Sequence, residues 1–578
     1  MIRFNNFKKI FMGQKKINRK YKIIIVAIVI SVFSFTSFSF IDKDFEYVKN
    51  LDIFASMFRE VNLYYVDSID PAKLMKKGID EMLNSLDPYT NYIPESEIDD
   101  YRFITTGQYG GIGAVIRQKG EYVVISEPYE GYPAQKNGLL AGDMILKIDG
   151  ISSKNKKTDE ISHKLKGTPG TQVKLLIMRD GNNSPFEKTL TREEVKVKSV
   201  PYYAMIKSGI GYIKLNSFTE SASKEISTAL KEMKSTGNLK GLVLDIRGNP
   251  GGLLNEAVNV SNIFIERGKE IVSTKGKIIE KNKIYKSINE AIDKELPLVV
   301  LVNSGSASAS EIVSGALQDL DRAVIIGQRT FGKGLVQTTR PLSYNTQVKI
   351  TTSKYYIPSG RCIQALDYSH RNEDGSVGKI PDSLVTAFKT HSGRTVYDGG
   401  GILPDVITAT KKLSNISISL LNKNIIFDYA TYYHRMHPQL TLTDITLTNE
   451  DFADFQIYIS TKDYDFTTKS EKSLEDLRKN AEEEKYYSDL KDELDSLQLK
   501  LAHNKQDDVV KNKDEIISLI EEEIASRYFY QSGRIREFLS HDLELEKAID
   551  VLNNSVYYSG ILSGSVKADS SLEEDVKK

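Results

Sequence analysis

Residues 298–312 read Leu298-Val299-Val300-Leu301-Val302-Asn303-Ser304-Gly305-Ser306-Ala307-Ser308-Ala309-Ser310-Glu311-Ile312. An unbroken apolar run of Val and Leu describes a strand buried on both faces. The small residues after it describe a tight turn, and Ala309 to Leu320 has helical spacing. Strand, turn and helix in that order make the unit of an α/β layer. The alternation continues on either side. Ile210 to Leu215, Gly241 to Ile246 and Val324 to Ile326 are further strands, and Ser221 to Met233 and Leu253 to Phe264 are helices. An α/β core is therefore predicted over 193–410, with the polar, Lys-rich Ser273 to Glu295 as an exposed excursion.

Upstream, residues 107–192 change character. The runs GAVIR, YVVIS, MILKI and VKLLIM alternate with Gly turns, and short helices fit at Pro133 to Asn137 and Thr158 to Leu165. Tyr109-Gly110-Gly111-Ile112-Gly113 precedes the first strand, and Pro133-Ala134, Gly138-Leu139, Gly142-Asp143, Ile145-Leu146 and Ile148-Asp149-Gly150 follow. In combination this resembles a PDZ domain. The resemblance implies that Gly111, Ile112 and Gly113 form a loop whose N–H groups receive a chain-terminal carboxylate, the peptide adding as a strand at an open edge. The alternative is a β-module that merely packs.

Residues 43–106 read as a helical arm for packing or dimerisation. Asp70-Pro71 opens a second helix there and Asp87-Pro88 ends it. Residues 411–578 read as a mainly helical, charged region, with Glu471 to Leu501 as a solvated helix. In residues 1–42, eight basic side chains and no acid precede the uncharged run Ile23 to Ile41. A positive flank before about 20 apolar residues is the pattern of a membrane anchor or an export signal, which leaves the rest extracytoplasmic, in the periplasm or on the outer side of the cytoplasmic membrane. Anchor and cleaved signal both stay open, with Ser37 and Ser39 as the small residues of a cleavage site.

At 578 residues the chain exceeds one hydrophobic core. Lys plus Arg equals Asp plus Glu at 78 each, which gives no reason to expect a nucleic-acid partner. The one cysteine, Cys362, forbids an intramolecular disulfide and reads as a small core residue. HExxH is absent and no Cys/His cluster exists, so no metal or cofactor is implied.

The chemistry concentrates at three places. Ser308 lies among small residues at the start of a helix, where backbone N–H groups are unpaired and suit an oxyanion. A serine hydroxyl needs a base. None of the seven histidines sits in a comparable strand-end motif. Lys333, in Thr330-Phe331-Gly332-Lys333-Gly334-Leu335-Val336-Gln337, is flanked by glycines and apolar residues that would hold its pKa down. On a strand, Lys333 and Gln337 would face one side, and the amide would orient the amine. The third place is the turn Asp245-Ile246-Arg247-Gly248-Asn249-Pro250-Gly251-Gly252-Leu253. Its glycines can present N–H groups to a carbonyl oxygen, or form a tight turn or a phosphate loop, although the GxxxxGK[ST] spacing is missing. Alone, a SASAS run is ordinarily close helix packing and a GKG a turn with a surface lysine.

In order, behind the PDZ-like segment, the three resemble the carboxy-terminal processing (tail-specific) proteases over about 45–410. The resemblance implies Ser308 as nucleophile, Lys333 as general base, Gln337 as its orienter, and an oxyanion hole from Ala309 N–H with Gly251, ahead of Gly252. Ser306 and Ser310 read as structural, and Asp245, Arg247 and Glu311 as local supports. The implied fold is multidomain, α/β plus α+β: helical arm, PDZ-like domain, a serine protease core of crotonase- or Clp-like layering, and C-terminal helices. Protein or peptide substrates with accessible C-termini, a regulatory adaptor, the membrane through 23–41 and a homodimer or higher oligomer are the expected partners. The rival reading is a membrane-tethered PDZ adaptor with an inactive core. Acyl-CoA chemistry on a similar core is disfavoured by the PDZ segment and the export signal. Tyr397 to Gly401 has no role legible in the sequence.

Overall fold

The structure, a computed structural model, describes residues 45–372, 374–441, 445–501 and 505–566. The apolar run 23–41, read as a membrane segment, lies outside the described residues. Among the described residues no helix is long and apolar enough to cross a membrane.

The chain divides at Ser85. The first unit holds a helix over residues 45–64 and a second at Pro71–Asn84. As predicted, Asp70 caps the second, accepting from the N–H groups of Ala72 and Lys73, and Pro71 takes its first turn.

The second unit begins with an Asx turn in which Asp87 accepts from Tyr89 and Thr90, each at 2.8 Å. The PDZ-like segment follows. Its sheet runs in the order Ala114–Lys119, Tyr122–Pro128, Met144–Ile148, Gln172–Met178, Phe186–Thr191, all antiparallel, with helices at Pro133–Lys136 and Thr158–Leu165. Val123, Ile125, Ile145, Leu175 and Ile177 fill the core between sheet and helices.

The predicted α/β core is built on a six-stranded sheet. Its order is Tyr202–Met205, Ile210–Lys214, Gly241–Asp245, Leu298–Val302, Val324–Gly327, Val406–Ile407, parallel after the first pair. Helices Ala222–Ser235, Leu254–Asn262 and Ala309–Asp319 cover one face through Ile226, Leu230, Val260, Val313 and Leu317. The other face is covered from far downstream. Leu545, Ala548, Val551 and Ile561, on helices Leu543–Asn553 and Ser555–Ser563, pack on Tyr212, Val243, Val299 and Leu301. A strand apolar on both faces needs two covers, and these two downstream helices supply the second.

A second sheet pairs Asn91–Ile93, Gln347–Tyr356, Glu270–Gly276 and Lys283–Lys286, with Leu335–Pro341 also on the long strand. The excursion is exposed over most of its length from Lys275, as predicted, but its start is not. Ser273 and Thr274 are buried, because Glu270–Gly276 is hydrogen-bonded on both edges. The single solvated helix expected over Glu471 to Leu501 is a pair, Lys469–Glu483 and Tyr487–Leu501, broken where Lys485 takes a φ of +67°.

Candidate active site

In open α/β sheets the loops beyond the carboxyl ends of the strands hold ligands. Two such loops meet here. After strand Leu298–Val302 the chain turns through Asn303 to Ala307 into helix Ala309–Asp319, with Ser308 as N-cap. Ser308 has φ +56° and ψ −112°, a region that costs a non-glycine residue about 1–3 kcal/mol unless neighbours impose it. The neighbours are present. The Ser308 N–H donates to Glu311 Oε2 (2.8 Å), Ala307 N–H donates to Asn249 O (3.0 Å), and Tyr355 Oη donates to Ser308 O (3.2 Å). A serine on a strained strand-to-helix turn is the geometry of a nucleophile elbow. Ser306 and Ser310 are structural: their hydroxyls donate to Ile246 O and Asn249 O, tying the elbow to the glycine turn.

That turn follows strand Gly241–Asp245. A side chain at Gly251 would put Cβ 2.7 Å from Ala307 O and 2.9 Å from Ala309 N, so only glycine allows the contact with the elbow. Its N–H, however, is used: it donates to Asn249 Oδ1 at 2.9 Å. Among the described residues the N–H groups of Ala309 and Gly252 meet no acceptor, and both residues line the same cavity. Of the two glycines, Gly252 is the one whose N–H is left, like that of Ala309, without an acceptor among the described residues.

Lys333 lies in the loop before strand Leu335–Pro341, not on it, so the two-sided alternation invoked for Gln337 does not apply. A bulge at Val336/Gln337 shifts the register as well. The loop is fixed through its backbone. Gly332 N–H and Lys333 N–H donate to Glu311 at 2.7 and 2.9 Å, and Gly334 N–H donates to Gln364 Oε1 at 2.7 Å. Glu311 is fully buried and also accepts from Thr330 Oγ1 (2.6 Å). One carboxylate thus joins the Ser308 elbow to the Lys333 loop. Burial raises its pKa against the pull of these hydrogen bonds. The unassigned Tyr397 to Gly401 buttresses the same loop. Gly401 N–H donates to Ile363 O, Gly400 O accepts from Arg329, and Ile402 N–H donates to Thr330 Oγ1.

The Lys333 amine and Ser308 share a cavity of about 440 Å³ with Ala309, Gly252, Gln337 and Lys349. Burial, then the Lys349 ammonium, brings the Lys333 pKa down to about 8. In this conformation the amine lies 4.2 Å from the centroid of the Tyr89 ring. It makes no hydrogen bond to Ser308 or Gln337 among the described residues. The Gln337 amide donates instead to Thr351 Oγ1 at 3.1 Å. Sequence reasoning missed Tyr89 and Lys349, which carry no local signal. The bridging role of Glu311 was signalled by the S-x-x-E spacing from Ser308.

Behind the glycine turn, Asp245 accepts from Tyr212 Oη (2.7 Å), Lys214 Nζ (3.1 Å) and Arg247. Burial opposes its charge, but Arg247 and Lys214 hold its carboxyl well below the usual range. Cys362 is half-buried, and burial raises its thiol. In the PDZ domain Gly111 ends strand Gln108–Gly111, paired with Glu193, so the loop proper is Ile112 and Gly113. All three residues are buried, and neither Ile112 nor Gly113 N–H has an acceptor among the described residues. Ala114–Lys119 is the edge strand beside them.

Residues 209–369 match peptidase family S41, 124–179 match a PDZ domain, and 416–552 match the C-terminal helical domain of probable PDZ-proteases. A "Carboxy-terminal-processing protease" of Bartonella bacilliformis is 41% identical over 324 residues, 55% of this chain and 73% of its own. A "Probable CtpA-like serine protease" of Staphylococcus aureus is 37% identical over 320 residues, 54% of this chain and 62% of its own. Among solved structures, the photosystem II D1 C-terminal processing protease is 32% identical, covering 54% of this chain and 89% of its own, at a TM-score of 0.32. With a serine elbow, a glycine turn against it and a PDZ domain ahead of both, the chain belongs to the carboxy-terminal processing proteases, serine-type peptidases of family S41.

Proposed function

We propose that the chain is an endopeptidase working through a Ser308–Lys333 dyad on exported proteins. The observation that carries this is the half-buried Lys333 amine, lowered to about 8, in one cavity with the strained Ser308. At pH 7 about one amine in ten is then neutral, against about one in three thousand at the ordinary value of 10.5. Lys333 leaves the Tyr89 face and takes the proton of Ser308 as Oγ bonds to the peptide carbonyl carbon. The oxyanion rests on the N–H groups of Ala309 and Gly252. The ammonium returns the proton to the leaving amine as the C–N bond breaks, and water attacks the acyl-enzyme by the same route. Gln337, which lines the cavity, orients the amine once it turns toward Ser308.

The PDZ domain binds the C-terminal tail of a substrate or adaptor, with the N–H groups of Ile112 and Gly113 toward the carboxylate. The basic head and the run 23–41 support an extracytoplasmic location. Ser308→Ala and Lys333→Ala should each abolish cleavage of casein by the purified protein. Labelling with a serine-reactive probe should map to Ser308 and fall in Lys333→Ala. Undiminished cleavage by either variant refutes the dyad, and peptide binding without any turnover by the wild type favours the adaptor reading.

A further inference from the structure

Outside the peptidase site, Glu521, Glu537 and His541 converge, with one donor atom of each within 4.8 Å of the others. They come from two segments. Glu521 and Glu537 lie on either side of the break in helix Lys513–Ser540, where Tyr530 has φ +53°, and His541 is the C-cap. His541 Nε2 stands 3.5 Å from Glu521 Oε2 and 3.8 Å from Glu537 Oε1. Both separations exceed the 2.7–3.2 Å of an N–H···O hydrogen bond. The 3.5 Å separation matches the edge of a coordination tetrahedron, about 3.3–3.5 Å for ligands 2.0–2.1 Å from zinc, and the 3.8 Å one is a few tenths of an ångström longer.

The ligand orientations are set from outside. Glu521 is buried, and its Oε1 accepts the Leu447 N–H at 2.7 Å, which leaves Oε2 for the ion. Such support of a first ligand is usual at metal centres. Glu537 and His541 are one helical turn apart, a spacing that puts two donors on one face. The three border a cavity of about 660 Å³ with Asp514, Ser518 and Arg536, which leaves room for a bound water.

We propose that Glu521, Glu537 and His541 bind a divalent transition-metal ion of the zinc class, with water completing the shell. One imidazole and two carboxylates suit zinc in an open three-ligand site. The donors come from positions sixteen and four residues apart, so no linear metal motif announces them. The ion would brace the break in the helix. It would also hold the residue before Asp542, which donates nothing to the ion but grips Arg247 at 2.6 Å beside the glycine turn.

The test uses the full chain, stripped with a chelator and titrated with Zn²⁺ by calorimetry, then with Co²⁺ by visible absorption. One equivalent should bind, the cobalt protein should show the intense bands of a four-coordinate site, and Zn²⁺ should raise the unfolding temperature. Glu537→Gln, at a partly exposed position, and His541→Gln should each weaken Zn²⁺ binding at least about tenfold with unchanged circular dichroism. No saturable Zn²⁺ binding by the wild type, or equal affinity in both variants, would reduce the cluster to an ordinary ionic contact and overturn the proposal.

Discussion

Replacing Glu311 by Gln isolates the link between the Ser308 elbow and the Lys333 loop, the two halves of the proposed dyad. Glu311 Oε1 accepts from Thr330 and Gly332, and Oε2 accepts from Ser308 and Lys333. An amide has one oxygen, so in either orientation two donors face an NH₂ group. Loss of two bonds to a charged acceptor costs about 1.5–3 kcal/mol each, roughly 3–6 kcal/mol in all, inside a site with no bulk water to compensate. If Oε2 is the oxygen lost, Ser308 and the Lys333 loop separate. A displacement of about 1 Å at reacting groups costs on the order of 100-fold in rate. The charge change has an independent signature. The Glu311 carboxylate raises the Lys333 pKa, so removing it should move the ascending limb of kcat/KM to lower pH while the plateau falls. A purely structural lesion would lower the plateau alone. The assay is kcat/KM on an unstructured substrate from pH 6 to 10, with circular dichroism as a check on folding. Activity within threefold of wild type, with an unmoved limb, would refute the bridging role.

On the proposed dyad, in which the neutral Lys333 amine is the base, wild-type kcat/KM should rise with pH and level off above about 8. Lys349→Gln removes a like charge that lowers the Lys333 pKa, so the limb should move to higher pH, read from the same profiles. Gly251→Ala should reduce activity by on the order of 100-fold, since its Cβ would sit 2.7 Å from Ala307 O and displace the elbow; probe labelling of Ser308 should fall with it. Asp542→Asn weakens a buried pair with Arg247 and should destabilise the chain by up to about 3–5 kcal/mol, measured by denaturant unfolding.

The strands, their order along the chain, the PDZ segment and the residues of chemical interest were legible because they depend on local pattern. The apolar run Leu298 to Val302, the Asp70-Pro71 helix start and the small-residue turn at Ser308 each act within a few residues. What failed depended on distant partners. Ser273 and Thr274, at the start of the otherwise exposed polar excursion, are buried because two strands flank them, and Lys333 sits in a loop because the backbone bonds to Glu311 and Gln364 hold it there. Within the glycine turn itself, the Asn249 side chain takes the Gly251 N–H and leaves that of Gly252 without an acceptor among the described residues, which the spacing of the two glycines does not reveal.

The sequence by itself determined which residues are small enough for the elbow, which strands are apolar on both faces, and that a lysine stands among glycines 25 residues after Ser308. Only the tertiary structure decided that helices near residue 550 close the catalytic sheet, that one buried carboxylate spans the two loops, and that Lys333 rests against Tyr89. Side-chain type and spacing are local properties of the chain. The acceptor a donor finds, and the charge a buried amine feels, follow from what folding brings alongside.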